Sequence, residues 1–165
     1  MSTTKLDLVA YQGGTFSLPA PKRYRVASGT TASINPGEPV AKDLGAQYVA
    51  SMAINKPVVA TDFLAGIAVS TSTETSTADG YVDVLDVWDS QAIWLISPNV
   101  AATWDTQAEY NVLVGDRVLM DKTSSTYTLL ATDGANNGCV VEDLDIARYP
   151  NKVRISFRKA LNYAA

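Results

Sequence analysis

The chain has 165 residues, of which 47% are hydrophobic, so it is long enough for one domain with a substantial core. It contains no histidine and a single cysteine, Cys139, which excludes a Ser-His-Asp triad, a Cys-His pair, a histidine-containing zinc site and an internal disulfide. A formal net charge of -4, without a basic groove that carries interleaved aromatic residues, argues against nucleic acid as a partner.

The N-terminal segment 1–35 shows neither helical nor strand periodicity. It contains Gly13-Gly14, two prolines in Leu18-Pro19-Ala20-Pro21, and the basic run Lys22-Arg23-Tyr24-Arg25. We predict an extended arm over 1–35, followed by a single β-rich domain over 36–165. Because an extended arm loses conformational entropy when it becomes ordered, we expect a neighbouring subunit to support it, and the alternative is an unsupported tail.

Neither a signal peptide nor a membrane span is predicted. Residues 1–11 lack a continuous apolar run, so we expect synthesis in a cytoplasm. The longest apolar stretches, Phe63 to Val69 and Ala92 to Ile96, are far below the roughly 20 residues of a membrane-spanning helix. We therefore expect no membrane partner.

One segment, Lys42 to Met52, has apolar residues at helical spacing. Leu44, Tyr48 and Met52 recur every four residues, although Gly45 and the β-branched Val49 disfavour a helix. The sequence therefore predicts at most one short helix, in this segment.

The rest of the chain is typical of β-strands. Short apolar segments are interrupted by Gly, Pro, Asn or Asp about every ten residues, which predicts an all-β fold, a small antiparallel β-barrel or sandwich. The polar tract from Ser70 to Thr77 predicts an exposed loop or a solvent-facing hairpin. A strand should begin after Asp79-Gly80 with Val82 and Val84 on one face, and the shift of apolar phase at Leu85 predicts a β-bulge.

Further strands follow to the C-terminus. Ala92 to Ile96 is apolar on both faces, which predicts a central strand or one covered by a neighbouring subunit. Gly115-Asp116 introduces a predicted hairpin over 117–131, and the run 133–138 predicts a turn that leads into a strand with Cys139 as a buried hydrophobe. The last strand, 153–158, should bury Val153, Ile155 and Phe157 and expose Arg154, Ser156 and Arg158.

Charge is segregated along the chain. No Lys or Arg lies between Lys56 and Arg117, whereas nine carboxylates do, and five basic residues follow one another from Arg148 to Lys159 without an acid between them. These regions should attract each other within or between chains, which hints at assembly, and the alternative is an acidic solvated surface beside an unrelated basic strand.

The candidate chemical sites are weak. Asp83, Asp86 and Asp89 recur every three residues, a spacing that scatters carboxylates in a strand, and they match no calcium-loop pattern. Trp88, Trp94 and Trp104 suggest either a sugar-stacking platform or core and interface anchors, and we favour the anchors. We expect no enzymatic activity, no cofactor, no metal site and no small-molecule substrate.

Four segments together resemble the capsid decoration proteins of tailed bacteriophages, also called cement or head-stabilising proteins. They are Gly37-Glu38-Pro39-Val40, Phe63-Leu64-Ala65-Gly66-Ile67-Ala68, Gly80-Tyr81-Val82-Asp83-Val84 and Val153-Arg154-Ile155-Ser156-Phe157-Arg158. The chain departs from that family in its long proline-containing N-terminal segment and its Thr-rich tract.

The resemblance implies a virion structural protein on the capsid exterior, made in the host cytoplasm. Its partners would be the major capsid protein and further copies of itself, in a homotrimer. We expect these residues to contact the partners: Lys22, Arg23, Tyr24, Arg25, Asp83, Asp86, Trp88, Asp89, Trp94, Arg154 and Arg158. The alternatives are a neck, tail or fibre component, or a glycan- or receptor-binding β module.

Overall fold

The computed structural model of the chain describes residues 7–11, 20–29, 33–42, 47–52, 63–87, 92–99, 106–123, 126–130, 134, 137–142 and 151–158. Several residues singled out in the sequence lie outside these ranges, among them Leu44, Gly45, Trp88, Asp89, Trp104 and Arg148.

The described residues form eleven β-strands and one short helix, which confirms the predicted all-β fold. The elements are β1 (Asp7–Tyr11), β2 (Lys22–Val26), β3 (Pro39–Lys42), β4 (Val49–Ser51), β5 (Phe63–Ala68), β6 (Gly80–Leu85), β7 (Ala92–Pro98), α1 (Gln107–Leu113), β8 (Arg117–Thr123), β9 (Thr126–Leu130), β10 (Cys139–Val141) and β11 (Val153–Phe157).

Five strands of the C-terminal half close into a barrel. The pairing runs β7-β11-β10-β8-β9 and returns from β9 to β7, where the parallel pair Ser97↔Thr128 completes the circle. All other pairings in this sheet are antiparallel. Strand β1 joins the first half of β7, with Leu8 opposite Trp94, so β7 is the central strand that its two apolar faces predicted.

The other five strands form an antiparallel sheet in the order β2-β6-β5-β3-β4. Its two edge strands approach each other through one parallel bridge, Arg25↔Tyr48. Two strands from the segment predicted as an arm, β1 and β2, therefore lie on sheets of this same chain, and Val26 and Ile34 are buried. Residues 1–6, 12–19 and 30–32 of that segment lie outside the described residues.

The helix predicted between Lys42 and Met52 is wrong. Within that stretch, Lys42 ends β3 and Val49–Ser51 forms β4, which pairs with β3 so that Val40 and Val49 are both buried. Pairing between neighbouring strands outweighs a helical repeat that contains a glycine and a β-branched residue.

The observed helix, α1, begins with a capping box that the sequence contains as Thr106-x-x-Glu109. The Thr106 N–H donates to Glu109 Oε2 (3.1 Å), and the Glu109 N–H donates to Thr106 Oγ1 (3.4 Å). Gly115 follows the helix with a φ of 91°, the left-handed conformation that commonly ends helices. The pattern was available in the sequence, but seven residues are too few for a clear apolar repeat.

Apolar side chains form two cores. The first core lies on one side of the five-stranded sheet and contains Val26, Ile34, Val40, Val49, Ala65, Ala68, Val82 and Val84. The second core joins Met52, Leu64, Ile67, Leu85 and Val87 to the barrel residues Trp94, Ile96, Val118, Met120, Tyr127, Leu129, Cys139, Val141, Val153, Ile155 and Phe157. Strands β5 and β6 contribute to both cores, so the sheet is buried on both sides at this point.

A β-bulge in β5 makes this double burial possible. Against β3 the register moves from Val40↔Gly66 to Ala41↔Leu64, which leaves Ala65 as an extra residue. The extra residue allows Leu64 and Ile67, three positions apart, to enter the second core while Ala65 and Ala68 enter the first. Gly66 has a φ of 145°, and a Cβ at this position would overlap the carbonyl oxygen of Leu85.

The bulge predicted at Leu85 is wrong. The described pairs of β6 with β2 and with β5 contain no register shift. Leu85 follows the same alternation as Tyr81 and Asp83, but it is buried because the barrel covers this end of the strand. The change of apolar phase at Leu85 therefore arises because the barrel buries this residue, and it does not mark a bulge.

We expect Gly66→Ala to destabilise the fold much more than Gly115→Ala. Both glycines have positive φ, which costs an L-residue about 1–2 kcal/mol, but nothing lies near a Cβ at Gly115. At Gly66 overpacking against Leu85 should add about 1–3 kcal/mol. Urea unfolding of the two variants measures this difference, and equal losses would contradict the close approach of β5 to β6.

Candidate interaction surface

A basic strand and an acidic strand lie side by side in the five-stranded sheet. The register of β2 with β6 places Arg23 directly opposite Asp83, and the guanidinium Nε and Nη2 donate to the two carboxylate oxygens at 2.9 and 3.2 Å. Lys22 Nζ lies 3.5 Å from Asp86 Oδ2, and Arg25 Nη2 lies 2.9 Å from Asp79 Oδ2. We call these six residues, together with Tyr81, the paired-charge surface.

Asp79 connects several parts of this surface. Its Oδ1 accepts a hydrogen bond from the Ser28 N–H (2.9 Å), and its Oδ2 accepts one from the Tyr48 hydroxyl (2.9 Å). These bonds, first that from Ser28 and then that from Tyr48, lower the pKa of Asp79 below its usual value, and the bond to Asp79 raises the pKa of Tyr48. The Arg25 guanidinium lies 5.2 Å from the centre of the Tyr48 ring.

The Arg23–Asp83 pair is bidentate and exposed. Its hydrogen bonds lower the pKa of Asp83 and raise the pKa of Arg23. Since exposed ion pairs contribute little to stability, the main effect of this geometry is to hold the guanidinium plane in one orientation.

The basic side chains of this surface are more exposed than the carboxylates with which they pair. The Arg23 side chain is 67% exposed and the Asp83 side chain 32%, and the corresponding values for Arg25 and Asp79 are 46% and 31%. Tyr81 is 50% exposed among these charges. Arginine and tyrosine are enriched in protein interfaces, whereas aspartate and lysine are depleted there.

Five residues of the predicted contact set are brought together here, namely Lys22, Arg23, Arg25, Asp83 and Asp86. Tyr24 is half-buried and packs against the first core. Trp94 is 3% exposed in the second core, and within the described part of the chain its Nε1 has no hydrogen-bond partner. Trp88 and Asp89 lie outside the described residues.

Strand β11 presents less open cationic surface than the sequence predicted. Val153, Ile155 and Phe157 are fully buried as predicted, but Ser156 is also fully buried, and its hydroxyl donates to Glu142 Oε1. Glu142 follows β10 beside this strand and also lies 3.6 Å from Arg158 Nη2. The exposed position predicted for Ser156 is wrong because a neighbouring strand brings a carboxylate over it.

Some carboxylates of the stretch between Lys56 and Arg117, which contains no Lys or Arg, form ion pairs with basic residues of the same chain. In the described residues, Asp79, Asp83 and Asp86 form ion pairs with the basic strand β2. Arg158, which follows β11, forms an ion pair with Glu142. The pairing of Arg23 with Asp83 spans 60 residues of sequence. Its signal in the sequence is the alternation of Arg23 and Arg25 in one strand and the single carboxylate of Asp83 in another, which does not reveal that the two strands are neighbours.

The buried reactive groups are structural. Cys139 is fully buried, as predicted, and burial raises the pKa of its thiol. Burial also raises the pKa of Tyr127, whose hydroxyl donates to the Met52 carbonyl (3.0 Å) and so links β9 to the end of β4. No cluster of three or more potential metal ligands occurs in the described parts of the chain.

No protein-family model, curated protein or solved structure matches this chain. Among the described residues, no helix has the length and apolar character needed to cross a membrane.

We expect Asp83→Asn to weaken the acid dependence of stability. The folded-state pKa of Asp83 lies below its ordinary value of 3.8, so near that pH the unfolded chain binds more protons. The stabilisation is present above pH 3.8 and is lost as the pH falls through the lower folded-state pKa. Urea midpoints of the wild type and the variant, measured from about pH 5 to pH 2, should converge in acid.

Arg23→Gln is the matched control for this prediction. It removes the cation that lowers the pKa of Asp83, so it should reduce the acid dependence in the same way, and the double variant should add little. An Asp83→Asn variant that kept the full wild-type acid dependence would show that this ion pair does not form in solution.

Proposed function

We propose that the protein is a non-enzymatic structural protein of a tailed-phage virion, which binds the outside of the capsid and stabilises the shell as a homo-oligomer. The paired-charge surface is the observation that carries this proposal. Arginine and aspartate side chains are held there in fixed relative positions on a well-packed sheet, and such a surface is suited to contact with another protein.

The packing beneath this surface favours a contact role. Val82 and Val84 of β6 lie in the first core, and Leu85 lies in the second, so the strand is fixed by two layers of side chains. A surface that is already ordered loses less conformational entropy on binding. A smaller loss of conformational entropy strengthens binding, which is what a protein that acts by attachment requires.

The proposed mechanism is thermodynamic linkage. A protein that binds only the expanded shell shifts the equilibrium toward that state by its binding free energy. An oligomer whose subunits each touch a different shell protein binds with an effective concentration that raises avidity well above the affinity of one subunit. The proposed partners are therefore the major capsid protein and further copies of this chain, in a trimer on the capsid exterior.

The resemblance in the four sequence segments adds to this proposal. All four have described structure: 37–40 at the start of β3, 63–68 as β5, 80–84 in β6 and 153–158 at β11. Arg154 and Arg158 are a further proposed contact with the shell, since both remain only partly buried.

A glycan-binding module has less support. Its sugar platform would need exposed tryptophan rings, and Trp94, the tryptophan within the described residues, is buried in the second core. A neck, tail or fibre component would use the same kind of surface in fewer copies.

We expect a copy number close to that of the major capsid protein in purified particles, as measured by gel densitometry. Particles stripped of this protein should release DNA at a lower temperature, and adding the purified protein back should restore the release temperature. A few copies per particle would place the protein in the neck, tail or fibres. Absence from particles would overturn the proposal.

A further inference from the structure

The exposed large hydrophobic side chains of the described residues fall into two groups. Val69 and Tyr81 lie at the paired-charge surface, where the Val69 N–H donates to the Asp83 carbonyl (2.9 Å). Val112 and Val114 lie at the end of α1 and are 76% and 45% exposed. Single exposed apolar residues are ordinary in proteins. Here two pairs of exposed apolar residues each lie beside charged residues, which suggests two contact surfaces.

The second group lies beside Asp116, and we define Val112, Val114 and Asp116 as the helix-end surface. No Lys or Arg occurs from Thr106 to Asp116, and the last turn of α1 has no basic residue. The carbonyl end of a helix also carries partial negative charge. Of the helix residues with described burial, Leu113 packs partly against the second core, whereas Val112 points away from it.

The paired-charge surface offers the opposite arrangement. Its arginine side chains are more exposed than their aspartate partners. Arg23 uses Nε and Nη2 for Asp83, and its guanidinium has five N–H donors in all, so N–H groups remain for a second acceptor. The register of β2 with β6 places Arg25 directly opposite Tyr81, and Arg23 lies two residues along the same strand.

We propose that the paired-charge surface of one copy docks on the helix-end surface of the next copy. This inference rests on the homo-oligomer part of the proposed function. Tyr81 and Val69 would cover Val112 and Val114, and Arg23 would meet Asp116 and the carbonyl end of α1. The apolar contact and the charge complementarity act together, because water is excluded from both.

The contact joins two different surfaces, so it is heterologous. Such contacts repeat head to tail and give a closed ring when the rotation between copies permits it. A ring of this kind presents the same face of every copy to one side, which is the arrangement that attachment to a symmetric shell requires.

Two charge-introducing variants test the docking by sedimentation equilibrium of the purified full chain. Val112→Lys places a cation against the arginines, and Tyr81→Glu places a carboxylate against the acidic helix end. The wild type should form an oligomer, and each variant should be a monomer with an unchanged far-ultraviolet dichroism spectrum. Asn99→Lys adds the same charge at an exposed residue outside both surfaces and should leave the mass unchanged.

An equimolar mixture of the two variants should associate again. The paired-charge surface of the Val112→Lys copy and the helix-end surface of the Tyr81→Glu copy are both wild type, so the mixture should form at least mixed pairs, whereas a three-membered ring cannot alternate the two variants and should not close. A monomeric wild type, or variants with the wild-type mass, would overturn the inference. A mixture that stays monomeric would also overturn it, because the unmodified paired-charge surface of one variant and the unmodified helix-end surface of the other would then fail to bind each other. Shells are absent from this experiment, so capsid attachment is judged separately by copy number.

Discussion

The structure depends on the burial of β5 and β6 between two cores. Leu64, Ile67 and Leu85 enter the same cluster as the barrel residues, while their neighbours Ala68 and Val84 pack on the opposite side. A sheet buried on both sides excludes water from its backbone hydrogen bonds and transmits packing from one core to the other. The barrel and the five-stranded sheet should therefore unfold as one cooperative unit.

This packing also determines where the charged surface lies. Strand β6 runs from Gly80 to the buried Leu85, and its exposed Tyr81 and half-buried Asp83 extend from a part that is packed between the two cores. The register with β2 then places Arg23 opposite Asp83 without any contribution from a flexible loop. A contact surface that is fixed by a sheet register keeps its geometry when a partner binds, which is the physical basis of the proposed attachment role.

Local sequence patterns predicted much of the fold. The start of β6 at Gly80, the hairpin of β8 with β9, and the buried face of β11 were all legible from turn residues and alternation. Two of the errors came from contacts that are distant in sequence: the barrel covers Leu85, and Glu142 covers Ser156. The wrong helix over Lys42 to Met52 came instead from the pairing of the neighbouring strands β3 and β4. The charged residues of the candidate surface were predicted individually, but their pairing depends on β2 lying beside β6, which no local pattern encodes.

Native-state hydrogen exchange tests the central claim, that the two sheets form one unit, most directly. The amides of Ile67 and Leu85 in the sheet should exchange with the same opening free energy as those of Ile155 and Phe157 in the barrel. Phe157→Leu, which leaves a cavity in the barrel, should lower the opening free energy at Leu85 as much as at Ile155. Lower protection in the sheet alone, or an effect of Phe157→Leu confined to the barrel, would show two independent units and contradict the account.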